Sequence, residues 1–508
     1  MKAIRILCLI LAVLMIVPLL FACAKDPESG ENNDGGSGSG SGVLDGTNAA
    51  GETWPDDGLG TQDFGGRTIR VLNWSECPVN EFEMEEKFDK STLTSAVYTR
   101  NENVKARMNV SFSFTSTEGS NLQEQNYASE AQKLVNSSAV DLFSSYSRAG
   151  NIMMVQGLIR DLRTSEYIDF SKPWWSQGLI DNASIWGKTY FCAGDLGWTL
   201  MGQTAMICFN KNMLAANTEI LNEFEVSSIY ELVEKKKWTL PNMIKISKNF
   251  EAEGEKDGAD TFGCAVAHAT PLDAFYKASD LKWMEKQEDG SVAISNDQHS
   301  NRANEVVKQL VEFFKTASGV VNDGATDGTF VGDISWNGGR TLFYQNAISA
   351  IISGRFSEKE FAFGVLPMPM FDENQEAYKT CPGFYYSLYS IPRAVTVPEE
   401  VCCVLECLAS EGYRHVAPAF YSETLRKQSS DSVDDYKMWE TIKNSIEMDG
   451  GRLFDWQFEQ CRCWGLFRSA VFAGNTGMTE QWERYGGTLI SEAKLLNTKM
   501  KTLEKKLG

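Results

Sequence analysis

Apolar residues recur along this chain in two periods, and the switches between them mark its elements. Residues 68–73 form a compact strand pattern, followed at its C-terminal end by Trp74, Ser75 and Glu76. Leu93, Val97, Val104 and Met108 then fall on one face at helical spacing. Residues 109–114 read as the next strand and 121–136 as a helix. Residues 140–143 read as a third strand, ending in Ser144, Ser145 and Tyr146. This β-α-β-α-β order predicts a parallel, doubly wound sheet, in which ligands lie beyond the C-terminal strand ends. Trp74, Glu76 and Tyr146 stand at those ends.

A different pattern organises the middle of the chain. Residues 187–211 hold two extended apolar runs, 189–193 and 204–209, separated by a polar, glycine-rich crossing with Asp195 and Trp198. Such runs, rich in aromatic and β-branched residues and bounded by Gly and Asn, are strand signals. The stretch is expected to carry the chain from one lobe to another, as hinge and binding wall together. Helices follow at 228–234 and 240–250, with Thr239 placed to cap the second and Pro241 suited to its first turn. A strand is expected at 261–267 and a helix at 302–316. Further strands are expected at 347–352, ending in Ser353-Gly354-Arg355-Phe356, and at 361–370. Residues 384–392 alternate aromatic and polar positions, 401–410 read as a helix, and 413–420 continue helically until Pro418. At the C-terminus Leu489, Ala493, Leu496, Met500, Leu503 and Leu507 step by four and three. That stripe suits a helix laid across a surface better than a coiled coil.

A chain of 508 residues exceeds one core, so at least two domains are expected. A net charge of −20 repels phosphate backbones and argues against a nucleic-acid partner. Residues 1–22 carry a charged start and a long apolar run, the layout of a secretory signal. Its ending before Cys23 is similar to a bacterial lipobox, in which Cys23 becomes the lipidated first residue. Residues 23–63 are Gly-, Ser- and acid-rich, and read as a disordered tether. Of the 12 Cys, those beyond Cys23 sit mostly in apolar runs and read as small buried hydrophobes.

The chemistry is narrowed by what is missing. The three His, at 268, 299 and 415, have no metal spacing, and Cys461-x-Cys463 has no partner pair. No phosphate loop, nucleophile elbow or dinucleotide fingerprint occurs. No catalytic residue, metal or cofactor is therefore expected. What remains is aromatic wealth: 13 Trp, 28 Phe and 16 Tyr, most of which pack cores. Those beside polar or Gly-rich strand ends are Trp74, Trp198, Trp336, Phe384 and Tyr385. A sugar needs flat aromatic platforms for its C–H faces and polar groups for its hydroxyl rim. Glu76, Asp195 and Arg355 supply such groups. With Tyr146, these nine residues form the candidate site.

Gly187-Lys188-x-Tyr190, Phe209-Asn210-Lys211, Trp238-Thr239, a strand ending Gly354-Arg355-Phe356 and Gly364-Val365-Leu366-Pro367-Met368-Pro369 occur in order behind a lipoprotein start. In this the chain resembles the extracellular solute-binding proteins of bacterial ABC importers, in the family-1 class that mostly carries sugars. The resemblance implies two α/β lobes, each a mainly parallel sheet flanked by helices, closing on a ligand between them. Lobe one would be 64–193 plus 387–430 and lobe two 204–382 plus 431–508, with crossings near 193–203 and 381–387. The implied function is capture of a carbohydrate and delivery to membrane permease subunits. The carrier would be a monomer, lipid-anchored on the extracellular face of the cytoplasmic membrane. The family often places aromatic residues after the glycine that is Gly354 here. Arg355-Phe356, with no Trp, leaves room for a peptide or charged solute. A secreted glycan hydrolase and an adhesion lipoprotein stay open as other classes.

Overall fold

The computed structural model describes residues 53–507, apart from 78–80, 83–91, 121, 251–259, 268, 322–330, 357–359, 429–432, 455–457, 459–460 and 475–476. The expected signal segment, Cys23, the tether up to residue 52 and His268 lie outside the described residues. Among the described residues no helix is long and apolar enough to cross a membrane.

Among the described residues nine strands build two larger sheets: β1 (Arg67–Trp74), β2 (Val110–Thr117), β3 (Leu142–Tyr146), β4 (Ala205–Asn210), β5 (Phe262–Val266), β6 (Gly319–Val321), β7 (Thr341–Ala347), β8 (Phe363–Leu366) and β9 (Ser387–Ser390). The first sheet has the order β9-β3-β1-β2, with β1 parallel to both β2 and β3. This is the doubly wound start predicted from periodicity. The late strand β9 pairs with β3 antiparallel, which makes the sheet mixed. The second sheet has the order β6-β5-β7-β4-β8, and β4 runs antiparallel to both of its neighbours.

Helices cover these sheets with the faces their periodicity supplies. In the helix Thr92–Met108, Leu93, Val97, Val104 and Met108 are buried as expected, and so are Arg100 and Asn101. The helical stretches expected at 401–410 and 413–420 are one helix, Pro398–Gln428, which continues through Pro418 instead of ending there and packs against the helix Thr92–Met108. Thr239 accepts from the backbone N–H of Asn242 and caps the helix Leu240–Ser247. The C-terminal helix Thr479–Leu507 buries Leu489, Ala493, Leu496 and Met500. Its Asn497 bonds both backbone groups of Val292 on a short hairpin, so it lies on the body of the protein.

Three local expectations are corrected. The strand placed at 347–352 is β7, six residues earlier, and Ser349–Ile352 is a helical turn. Alignment with β4 ends at Ala347↔Ala205, so the following isoleucines leave the sheet. The run 189–193 holds only the end of a hairpin, Ser184–Ile185 with Lys188–Thr189. Its turn residues Trp186 and Gly187 both have positive φ, as tight hairpin turns require. The packed body also starts before residue 64. Asp57 and Leu59 are buried, and Asp57 is gripped by Arg107 at 2.9 Å and Arg414 at 3.2 Å. Residues 53–63 are thus part of the body.

Two connections between the sheets, β3 to β4 and β8 to β9, run side by side. Cys192 bridges Tyr389 and Thr204 bridges Pro382, both antiparallel. Between them Ser387 N–H donates to Thr199 Oγ1 at 3.0 Å and Gly383 N–H to Gln203 O at 2.8 Å. Thr199–Gly202 forms one helical turn within the outward connection.

Candidate functional site

The C-terminal ends of β1 and β3 bring one expected group together. Trp74 and Tyr146 pack at 5.3 Å between ring centres, and Tyr385 from the return connection meets both, at 6.1 and 5.3 Å. Trp74 and Tyr146 are buried, and half-buried Tyr385 forms the outer ring. The Trp74 indole donates to Ser387 Oγ at 2.9 Å. Phe384 adjoins this cluster through Arg148, whose guanidinium carbon lies 4.0 Å from the Phe384 ring centre and 5.8 Å from that of Tyr146.

Glu76 has a different role from the expected open acceptor. Its carboxylate accepts from the backbone N–H groups of Gly119 and Ser120 and from Ser120 Oγ, each at 3.0 Å. Burial opposes its ionisation. The N–H groups of Ser120 and Gly119 outweigh that and hold its carboxyl below the usual range. It braces the loop beyond β2.

The remaining expected residues lie elsewhere. Trp198 is buried and stacks on Phe420 of the long helix at 5.8 Å. Asp195 is buried and pairs with Lys443 at 3.3 Å, on the wall of a separate cavity of about 170 Å³ beside Trp174, Met201 and Ile446. Burial raises its carboxyl pKa although Lys443 pulls the other way. The stretch 187–211 is therefore a connection and not a wall for the β1–β3 cluster, because the long helix covers Trp198. Trp336 is fully buried among Tyr344, Phe356, Phe361 and Phe363, which is core packing on the second sheet. Arg355 is exposed and approaches Asp333 at 3.7 Å.

Several residues at the β1–β3 end escaped the sequence reading. Both polar atoms of the Asn73 side chain are buried without a hydrogen-bond partner among the described residues, as are Glu124 Oε1 and Asn151 Oδ1. Asn73 is the penultimate residue of β1 and registers with Ser144 of β3. Arg148 and Asn151 share the helix Ser147–Val155 that follows β3, and Glu124 approaches Arg148 at 3.7 Å. Buried polar groups are nearly always satisfied, so these atoms are exceptions to that rule. The signal for Arg148 was its position two residues past Tyr146. Facing these are Arg452, whose guanidinium lies 3.8 Å from the Phe384 ring centre, and half-buried Trp464, 5.8 Å from Phe384.

Behind the cluster, buried Glu81 ties the parts together. It accepts from Thr199 N–H at 2.6 Å, from the Ser387 hydroxyl, and from the Tyr389 hydroxyl at 3.3 Å. Buried Arg100 holds the Glu81 carbonyl at 2.9 Å and also reaches Leu196 O. Burial pushes the Arg100 pKa down to about 10, against the pull of Tyr389 and Glu81. Among the described residues no group of His, Cys, Asp and Glu could hold a metal ion.

No family model matches the sequence, and no curated protein matches it. Solved structures do. A cyclo/maltodextrin-binding protein complexed with maltotetraose is 12% identical, over 87% of this chain and 97% of its own, with a TM-score of 0.51. The cyclic alpha-maltosyl-1,6-maltose binding protein from Arthrobacter globiformis is 11% identical, over 86% and 100%, with a TM-score of 0.52. The galacto-N-biose-/lacto-N-biose I-binding protein of the ABC transporter from Bifidobacterium longum is 13% identical, over 87% and 98%, with a TM-score of 0.50. The chain has the two-lobed periplasmic-binding-protein fold, a mixed α/β architecture with helices flanking each sheet.

Proposed function

We propose that this protein is a carrier that captures an oligosaccharide between two lobes and hands it to an ABC permease. The observation that carries the reading is the β1–β3 end. There Tyr385 caps an aromatic cluster, and the buried amides of Asn73, next to Trp74 on β1, and of Asn151, on the helix after Tyr146, have polar atoms without a hydrogen-bond partner among the described residues. Rings for C–H faces and unsatisfied amides for hydroxyls are the two things a sugar site needs. The solved structures of this fold named above are themselves described as sugar-binding proteins, which supports the same class. The lobes in this reading are 53–193 plus 387–430 and 204–382 plus 431–508. Function without chemistry then means that the closed arrangement binds ligand better than the open one. The carrier is further proposed to be monomeric and held by lipid on Cys23 at the outer face of the membrane.

Isothermal titration against an oligosaccharide panel, with chromatography of the recovered sugar, tests this. Saturable binding with unchanged sugar is the expected result. Turnover of any bound glycan would overturn the carrier reading in favour of a hydrolase. Mass spectrometry of the membrane-extracted N-terminal peptide tests acylation of Cys23.

A further inference from the structure

Five lysines crowd the end of the C-terminal helix, and nothing said so far uses them. Residues 494–507 hold Lys494, Lys499, Lys501, Lys505 and Lys506 against one acid, Glu504, in a chain whose net charge is −20. Lys499 is half-buried and the other four are exposed. Among the described residues none of the five forms an ion pair. Exposed lysines elsewhere do: Lys133, Lys235, Lys245, Lys308 and Lys437 each pair with a Glu. Glu504 is already taken up, by the Tyr190 hydroxyl at 2.5 Å, by Lys188, and by Arg393 at 3.9 Å. Exposed Asp289 lies within electrostatic reach of Lys501, but its carboxylate accepts from Ser291 N–H at 3.0 Å.

The helix macrodipole draws cations to the last turn, which accounts for Lys505 and Lys506 but not for Lys494, Lys499 and Lys501. Lys494, Lys501 and Lys505, seven and four residues apart, share one helix face, opposite the buried stripe of Leu489, Leu496 and Met500. The exposed Ile490 continues that face one turn earlier, and exposed Leu495 flanks it. Lys501 keeps its ammonium over the Trp186 ring, at 4.0 Å from its centre. Lysines are flexible point charges, and these extend over roughly 16 Å of helix. That suits a broad anionic surface with an apolar margin better than one small anion. The net charge of the chain repels such a surface from afar, but at physiological salt only charges within about 8 Å are felt, so the local sign decides.

We propose that this helix face docks on an anionic phospholipid surface and so sets which side of the body is turned to the membrane. The inference is independent of sugar capture. It needs only that the body is kept near a membrane, as the acyl group proposed on Cys23 would do, because such tethering makes weak contacts effective.

The test is lysine acylation read by peptide mass spectrometry, on the full chain reconstituted in vesicles of phosphatidylcholine alone or mixed with phosphatidylglycerol. Each lysine near an anionic surface is worth about fivefold in the docking equilibrium. Labelling of Lys494, Lys501 and Lys505 should therefore slow by about fivefold or more on the anionic vesicles. The protection should vanish in about 1 M salt, where screening acts within about 3 Å. Combining Lys494→Gln, Lys501→Gln and Lys505→Gln should remove most of the protection at the remaining Lys499 and Lys506, with thermal unfolding unchanged. Equal labelling on the two kinds of vesicle overturns the proposal. Protection that arises without vesicles and grows with protein concentration also overturns it, in favour of a second copy covering the face.

Discussion

The indole of Trp74 is hydrogen-bonded to the hydroxyl of Ser387, Nε1 to Oγ at 2.9 Å, across 313 residues of chain. The same hydroxyl donates to Glu81, so a strand end, the return connection and the loop after β1 meet in one atom. Replacing Ser387 with Ala removes an acceptor from a buried indole and a donor from a buried carboxylate. Stability should fall by about 1–3 kcal/mol in urea unfolding. Ser390 lies on the same strand, and its buried hydroxyl has no partner among the described residues. Ser390→Ala should therefore be close to neutral, and oligosaccharide affinity should fall only in the Ser387 variant.

Gly197 is where the outward connection passes Glu81. A Cβ there would lie 2.3 Å from both Glu81 Oε1 and the Tyr389 hydroxyl. Both groups are buried and already bonded, so neither can swing away freely. Gly197→Ala should lower stability by about 1–3 kcal/mol, as overpacking does, read from the midpoint of denaturant unfolding. An unchanged midpoint would mean that Glu81 does not seat there in solution.

Glu406 gives the protein an alkaline liability. It is fully buried and accepts from the indoles of Trp174 at 2.8 Å and Trp175 at 3.1 Å. Burial pushes its carboxyl from 4.5 up to about 8, with the indole donors only partly opposing. The neutral form is thus favoured by folding. Its contribution is full below the unfolded pKa of 4.5 and is progressively lost as pH rises towards about 8. Thermal unfolding of wild type and Glu406→Gln between about pH 5 and pH 8 should show the variant gaining on wild type as pH rises, because its amide does not titrate. A constant difference would refute the assignment.

Asp57 predicts where the folded body begins. Burial disfavours its charge, but hydrogen bonds from Arg107 and Ser410 hold its pKa well below the usual carboxylate range. Its contribution is therefore present at neutral pH and is lost only in strong acid. Asp57→Ala removes one of the two carboxylates that Arg107 and Arg414 share and leaves both to Glu411, and should cost about 3 kcal/mol in denaturant unfolding, the scale of breaking a buried pair.

Sequence periodicity captured the first sheet because each strand and helix there shows one clean face. Leu93, Val97, Val104 and Met108 are an example. It misplaced β7, because a run such as Ala347–Ile352 is equally apolar as a strand or as a buried turn. Only pairing with β4 decides between them. Within the candidate site, Trp74, Tyr146, Phe384 and Tyr385 were legible from their places at strand ends. Trp198 and Trp336 resembled them locally, but their burial is decided by distant elements, the long helix with Phe420 and the ring of Phe356, Phe361 and Phe363. Arg452 and Trp464 lie in and beside helical segments whose approach to Phe384 has no signature in their own neighbourhood.

The two connections between the sheets are cross-bonded, Cys192 to Tyr389 at one end and Thr204 to Pro382 at the other. A paired ribbon resists shear and in-plane bending, since either would break its rungs. It yields most readily to twist, the deformation strands adopt by nature. Opening and closing would then follow a single torsional coordinate, with the one-turn helix Thr199–Gly202 set into the ribbon as its stiffener. In the carrier proposed above, a permease touching either lobe would sense the angle of that ribbon, and through it whether the cleft is filled.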